Sequence, residues 1–566
     1  MALSSKNPLA KVKDKLAQLR REAEERDAQR RATKTNYPYT NLTTTPINTE
    51  ALALIPQETA QKAEIAAIEI KEKSLAVAAL DPTNPLSQEV IQKLKADGYQ
   101  PSVFVVSLSG LHHIWSFYKF VAGKTTKITG RITIEEEKLA ALKKTLTSLE
   151  NIKTAIQKLN AGSGFVGEIL EMVLAGALAT KASDIHFEPA ENHVKLRLRI
   201  DGLLHDASND LKNTIYEHVV SRLKMLAGLK INVKDEPQDG RFTITLPDKE
   251  IEIRASVNPS EFGETIVLRI LDPDTIKLSL LDLGFREDDL KTMQVELERP
   301  NGMILNTGPT GSGKTTTLYT FLRHTHKPEI KTITIEDPIE YHLEGVEQTQ
   351  VDPEAGYTFA KGLRSLLRQD PDMILVGEIR DLETAEIAIH AALTGHLVFS
   401  TLHTNDSFGA IPRLVDMGVK LSVISPSMNV IIAQRLVRRL CQNCRQPEEV
   451  SADLKDKIEK FLAKMPERIN KNQYFEGGKL NVKTFKAKGC DKCSGFGYKG
   501  RVGIFELLQI NEDLERLIID RAVEAEIKDL AFKKGFVTMQ QDGVLKALVG
   551  ETTFDEVERN TGPIEW

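Results

Sequence analysis

Gly308-Pro309-Thr310-Gly311-Ser312-Gly313-Lys314-Thr315, with Thr316 behind it, decides how this chain is read. The apolar run Met303-Ile304-Leu305 before it reads as a strand, and Thr316-Thr317-Leu318-Tyr319-Thr320-Phe321-Leu322 after it as a helix. Gly308, Gly311 and Gly313 allow the backbone to turn tightly and aim its N–H groups at phosphate oxygens. The new helix adds its positive N-terminus to the same anion. Lys314 reaches toward the β- and γ-phosphates of a nucleotide, and the Thr315 hydroxyl is placed to ligate Mg²⁺. Residues 308–316 are therefore the expected nucleotide-binding residues. The competing view, a glycine-rich turn without a ligand, does not explain the strand before it and the helix after it.

Three further apolar runs end in chemistry. Thr332–Ile335 leads to Glu336-Asp337-Pro338-Ile339-Glu340, Met373–Val376 to Gly377-Glu378, and Leu397–Leu402 to His403. Ligands of parallel α/β sheets bind at the carboxyl ends of strands, so these groups are expected around the same phosphates. Phosphoryl transfer to water needs a water-orienting group, a metal anchor and positive charge. Glu336, Glu340 and Glu378 all compete to orient the water. The place where an Asp usually ends the second strand is Gly377, so Glu378 is expected to meet the metal through water. His403 is better placed than His396 to sense the γ-phosphate. Arg364 and Arg368, at i and i+4, are expected on one helix face, where they suit a shared anion or a salt bridge.

The four cysteines fall in two pairs, Cys441-Gln-Asn-Cys444 and Cys490-Asp-Lys-Cys493. This is the pattern of a closed, tetrahedral, structural Zn²⁺. Disulfides are disfavoured in a reducing compartment, and an iron–sulfur cluster is the other alternative. Residues 445–489 are more than a compact zinc finger uses, so a small insertion is expected between the pairs.

Upstream, residues 1–35 carry ten Lys/Arg against five Asp/Glu, with Leu9, Val12, Leu16 and Leu19 at helical spacing. A solvated leader is preferred there over a helix that contacts a membrane surface or a partner, with a linker to residue 50. Residues 51–125 read as a small α/β module, with a helix over 87–96 and a strand at Val103–Val106. Residues 126–160 are Lys-rich and read as helical and connective. A second module spans 161–272, with a helix over 165–179 and strands at Val194–Ile200, Arg241–Leu246, Ile251–Val257 and Thr265–Ile270. Arg254 and Arg269 interrupt otherwise apolar strands, so each is expected to face a charged partner.

Of the 566 residues, 41% are hydrophobic and 27% charged, the balance of an ordinary globular protein. A net charge of −5 and no basic, aromatic-interleaved stretch argue against a nucleic-acid partner. No apolar run of about 18 residues occurs. Val103–Val121 comes nearest, but Ser107, Ser109, two histidines and Lys119 break it. With no signal-peptide core at the start, a cytoplasmic protein with only peripheral membrane contact is expected.

Four boxes in this order resemble those of the secretion ATPase superfamily, which powers type II secretion and type IV pili. They are 308–315, 334–340, 368–380 and 394–403. Ser183–Pro189 and Arg199-Ile200-Asp201-Gly202 resemble that family's second N-terminal domain. The paired cysteines resemble those of its secretion and pilus-extension members. The resemblance runs from about residue 160 to the end, while residues 51–125 look like a divergent first N-terminal domain without a clear cyclic-di-GMP-binding repeat.

The resemblance implies an α/β multidomain fold. It consists of a RecA-like P-loop ATPase core (286–566) with a zinc-binding subdomain at 441–507, preceded by two smaller α/β domains, the second PAS-like. It also implies a set of roles. Glu340 would be the general base and Glu378 the acid associated with Mg²⁺. His396 and His403 would be the histidine-box residues, and Arg254, Arg269, Arg364 and Arg368 would reach the γ-phosphate. ATP, Mg²⁺ and Zn²⁺ are the implied cofactors. A homohexamer acting on an inner-membrane platform protein, and through it on pilin or pseudopilin, is the implied assembly. Type IV pilus assembly is the preferred function and type II secretion the alternative. A nucleic-acid translocase or a non-hydrolysing scaffold is more distant.

Overall fold

The computed structural model describes residues 23–42, 48–71, 73–120, 130–133, 137, 141–142, 145–146, 148–161, 166–476, 479–520 and 524–566. The chain divides into two units, Met1–Ile270 and Leu271–Trp566. Leu9, Val12, Leu16 and Leu19 lie outside the described residues. Among the described residues no helix is long and apolar enough to cross a membrane.

In the first unit residues 23–35 are helical. This part of the expected leader is not merely solvated, because Ala28 and Ala32 are buried and the Arg31 guanidinium donates to the carbonyl of Val106 (3.3 Å). Strands Ile65–Lys71 and Ser74–Ala79 pair antiparallel, and Gln100–Val105 runs parallel to Ser74–Ala79. The parallel pair needs a crossover, which helix Pro85–Ala96 supplies. Pro85 sits in its first turn and the Asn84 side chain caps it by accepting from Leu86 N. The run 103–121 is thus no single apolar element. It divides between the end of a strand, helix Leu108–Trp115 and the 3₁₀ turn Ser116–Phe120.

A second sheet in this unit has seven strands. In spatial order they are Arg131–Thr133, Gln238–Thr245, Glu250–Ser260, Gly263–Leu271, Asp184–Pro189, Val194–Ile200 and Leu203–Leu211. Arg131–Thr133 corrects the expectation of a purely helical connector, since it adds a parallel edge strand beside residues 243–245. Along Val194–Ile200 buried and half-exposed residues alternate strictly. One face packs on the core and the other carries the charges, as expected of a sheet covered on one side.

The second unit is built on another seven-stranded sheet. Its order is Glu347–Gln350, Thr332–Glu336, Met373–Val376, Leu397–Leu402, Gly302–Thr307, Met428–Leu440 and Tyr498–Gln509. All neighbours are parallel except the last pair. Gly302–Thr307, Met373–Val376 and Leu397–Leu402 are buried at every position. Their side chains feed two cores. Met303, Leu305, Val376 and Val398 enter one, and Ile304, Leu375, Phe399 and Ile432 the other. A parallel sheet covered on both faces explains the uninterrupted apolar runs in the sequence.

The segment between the cysteine pairs is more than a small insertion. Its helix Ala452–Lys464 places Ile458, Phe461 and Leu462 in one core with Val544, Leu545 and Val557 of the C-terminal helices.

Candidate nucleotide site

The strand Gly302–Thr307 delivers residues 308–313 to the N-terminus of helix Lys314–Thr325. Gly311 and Gly313 adopt φ of 80° and 93°, the left-handed region that only glycine enters without strain. At Gly308 and Gly313 a side chain would also strike Gln434: an added Cβ would lie 2.6 Å from its carbonyl oxygen and 2.9 Å from Nε2, respectively.

The Lys314 ammonium folds back on the loop, donating to the carbonyls of Gly308 (2.7 Å) and Pro309 (3.1 Å). Burial pushes it down to about 8; Glu378 opposes that shift and Arg435 adds to it. Among the described residues the buried Ser312 hydroxyl has no hydrogen-bond partner. A cradle that admits only glycine, an unpaired buried hydroxyl and a buried ammonium together fit a phosphate chain. Thr315, next on the helix, is exposed and is the residue that would hold Mg²⁺.

The strand ends bring some expected groups together. The Glu378 carboxylate meets His403 Nε2 at 3.3 Å and Arg380 Nη2 at 2.5 Å. Arg380 Nη1 also lies 3.8 Å from Asp337. The turn after Val376 is close-packed at Gly377, where a Cβ would sit 3.3 Å from the Glu336 backbone. Beyond His403, Thr404 is tied to the end of the loop strand: its N–H donates to Thr307 Oγ1 at 2.8 Å.

Other expected groups are placed differently. Glu336 is buried and accepts from Tyr319 OH, Thr334 Oγ1 (2.6 Å) and Gln348 Nε2 (3.2 Å). Burial pushes its pKa up. It is a structural acceptor enclosed by its own donors, which leaves Glu340 and Glu378 as the accessible acids. His396 precedes the same strand that His403 follows. Leu397 pairs with Gly302 and Leu402 with Thr307, so His396 lies at the end of the sheet opposite the glycine loop. With about 3.3 Å per strand residue, the two histidines stand about 20 Å apart. There His396 Nδ1 bonds the Ala391 carbonyl (2.9 Å).

Arg364 and Arg368 do not share one α-helical face. The helix Phe359–Leu366 ends between them and Arg368 sits in the 3₁₀ turn Leu367–Gln369. Arg364 pairs with Glu383 at 2.6 Å, while Arg368 donates to the Arg364 carbonyl at 2.8 Å.

In the first unit, Arg269 Nε meets Asp184 at 3.2 Å and Arg254 Nε meets Glu252 at 3.4 Å. Each therefore faces an acid, as its apolar strand suggested. Asp184 is shared, because Arg199 Nε also lies 3.4 Å from it.

Residues 434 and 435 were not singled out in the sequence. Gln434 Oε1 accepts from Asn306 Nδ2 (3.0 Å) and Thr317 Oγ1 (2.9 Å), tying the strand before the loop to the helix after it. Arg380, two residues beyond Glu378 in the sequence, joins the site through that carboxylate.

The four cysteine Sγ atoms lie within 4.8 Å of one another. Cys441–Cys490, Cys444–Cys493 and Cys490–Cys493 are separated by 3.9, 3.8 and 3.8 Å. A tetrahedral zinc with Zn–S bonds of about 2.3 Å needs sulfurs about 3.8 Å apart. Disulfides are ruled out at these distances. The amides of Cys490 and Gly497 both donate to Cys493 Sγ at 3.2 Å, the sort of second shell that steadies a metal thiolate. The residues fit Zn²⁺, which would clamp the two ends of the insertion.

A glycine loop at a helix N-terminus, facing acids at the ends of parallel strands, defines an α/β nucleotide-binding protein. The chain belongs to the type II/IV secretion system protein family, whose model matches residues 160–559. An MshEN domain model matches residues 35–110. The chain is 36% identical over 530 residues to the type IV pilus assembly ATPase PilB of Myxococcus xanthus, covering 93% of this chain and 89% of that protein. It is 44% identical over 394 residues to the type II secretion system protein E of Dickeya dadantii, covering 69% and 75%. Among solved structures, the Legionella pneumophila ATPase DotB shares the fold at a TM-score of 0.52 and 21% identity, over 70% of this chain and 96% of that one.

Proposed function

We propose that this protein is a P-loop ATPase with a RecA-like core. It works as a cytoplasmic homohexamer and drives type IV pilus assembly through an inner-membrane platform protein. The observation that carries the reading is the length of the match. Similarity to a pilus assembly ATPase runs across 93% of the chain, N-terminal module included. The match to a type II secretion protein covers only 69%. Its higher identity, 44% against 36%, keeps type II secretion as the second reading.

In the proposed reaction a water oxygen attacks the γ-phosphorus, the bond to the β-γ bridging oxygen breaks, and ADP leaves. The water proton passes to Glu340. Lys314 leaves its carbonyl partners to balance charge on the β- and γ-oxygens, and Thr315 would hold Mg²⁺, which would supply further positive charge there. Glu378 orients His403 toward the γ-phosphate and would stand with Thr315 at the Mg²⁺ site. We retain Arg254, Arg269, Arg364 and Arg368 as γ-phosphate candidates, each now held by a bond it must release. Cys441, Cys444, Cys490 and Cys493 would hold a structural Zn²⁺ with no part in the reaction.

The discriminating experiment is replacement of the chromosomal copy by Glu340→Gln in the native host. Loss of surface pili with normal protein secretion is expected. Loss of secretion with normal pili would transfer the assignment to the second reading.

A further inference from the structure

The strand Met428–Leu440 lies beside the glycine-loop strand, with Thr307 opposite Ala433. The next residues therefore run alongside the loop itself. Gln434 abuts Gly308 and Gly313, and Leu436 abuts Gly313. Arg435 lies between them with a half-buried side chain.

Its partners are poor for such a group. Nη2 donates to the Asn405 carbonyl at 3.3 Å and to Asn405 Oδ1 at 3.4 Å, and Nη1 to the Gln434 carbonyl at 3.5 Å. All three bonds are at or beyond the long end of the ordinary range. Among the described residues no carboxylate lies within ion-pairing distance of it.

The acids whose field reaches Arg435, Glu506 and Asp406, are engaged elsewhere. Glu506 is buried and accepts from Ser407 N (2.8 Å), Ser407 Oγ (2.9 Å) and Met539 N (3.0 Å). Asp406 accepts from Gly409 N at 2.7 Å. Burial disfavours the Arg435 charge, and its field in turn disfavours that of Lys314. Two partly buried cations thus act on one another beside a loop built for an anion. Such an arrangement is costly unless an anion is shared between them.

We propose that Arg435 contacts the phosphate chain of the nucleotide, supplied by the same chain that supplies the glycine loop. The inference rests on the nucleotide-site reading above. On binding, the guanidinium exchanges its long bonds to Asn405 for charge-assisted bonds to phosphate oxygens. Asn405 stands two residues beyond His403, so the exchange also reports phosphate occupancy to the His403–Ser407 loop. Through Glu506 that loop is joined to the start of helix Met539–Leu548.

The test is binding of inorganic pyrophosphate to the full-length protein by calorimetry, with thermal unfolding of each variant in the absence of ligand. Arg435→Gln should weaken binding by about tenfold or more without lowering the unliganded melting temperature. Arg435→Lys should lose a few-fold, since it keeps the charge but not the planar fork. Wild-type affinity in Arg435→Gln overturns the proposal, and if that variant fails to fold, wild-type affinity in Arg435→Lys does so. Were Arg435 only an anchor for the loop, Asn405→Ala would cost as much affinity as Arg435→Gln, and that result also overturns it. Lys314→Ala separates the two readings. If it loses binding while Arg435→Gln does not, only the Arg435 assignment falls. If it too binds like wild type, the nucleotide site itself falls.

Discussion

The two seven-stranded sheets handle charge in opposite ways. The largely antiparallel sheet of residues 131–271 has one covered face, so Arg197, Arg199, Arg254 and Arg269 stand along the strands on the other face. Each is half-buried or exposed. The parallel sheet of residues 302–509 is covered on both faces, and Gly302–Thr307 and Leu397–Leu402 are buried throughout. Its accessible chemistry is confined to strand ends, where Lys314, Glu378 and His403 gather. In one sheet the alternation of residue types marks the chemical face. In the other the interruption of an apolar run marks the chemical end.

The largest effect should come from the strand-end site. Lys314→Ala removes the one buried ammonium of the loop, and hydrolysis should become undetectable in a phosphate-release assay. Full activity would break the contrast at once. The sheet-face arginines should matter next. Arg269→Ala is expected to lower kcat by about 10³-fold or more, the scale of an arginine that meets transition-state charge. It should leave the melting temperature near wild type, because its ion pair with Asp184 is exposed on the Arg269 side.

The two histidines sharpen the comparison within a single strand. His403→Ala should reduce kcat about tenfold, the loss of one charge-oriented contact. His396→Ala, at the other end, should stay within about twofold in the isolated protein. Equal losses would mean that His396 acts on a site its own chain does not form.

The smallest effect is one of pH. In the free protein the Lys314 ammonium has its pKa pushed down to about 8, so it is charged below that value and loses its proton as pH rises through it. The apparent KM for ATP should therefore rise above about pH 8, where an ordinary lysine would still be fully charged. A flat KM into the alkaline range would place the ammonium in a wetter setting.

Part of this was legible in the sequence because it is local. The glycine loop, the apolar strands and the paired cysteines each announce themselves within a few residues. So do helix Pro85–Ala96 and helix Val166–Ala179. What escaped notice depends on pairing across distance. Gln434 and Arg435 acquire meaning only because Met428–Leu440 lies beside Gly302–Thr307, and no short pattern encodes that adjacency. Leu203–Leu211 was missed as a strand because His205, Asp206, Asn209 and Asp210 give an edge segment a loop's composition. Glu336 could not be told from Glu340 in the sequence, since only burial among Tyr319, Thr334 and Gln348 distinguishes them. His396 and His403, a few residues apart in the sequence, stand at opposite ends of a sheet because the residues between them form a strand.

The account rests on Glu340 acting as the base at a working ATP site. Its most direct test is Mg²⁺-dependent ATP hydrolysis by the purified protein and by Glu340→Gln, with particle mass read on the same samples. The account predicts slow hydrolysis by a hexamer, lost in the variant, with the hexamer unchanged. Hydrolysis that survives the substitution at the wild-type rate would contradict it.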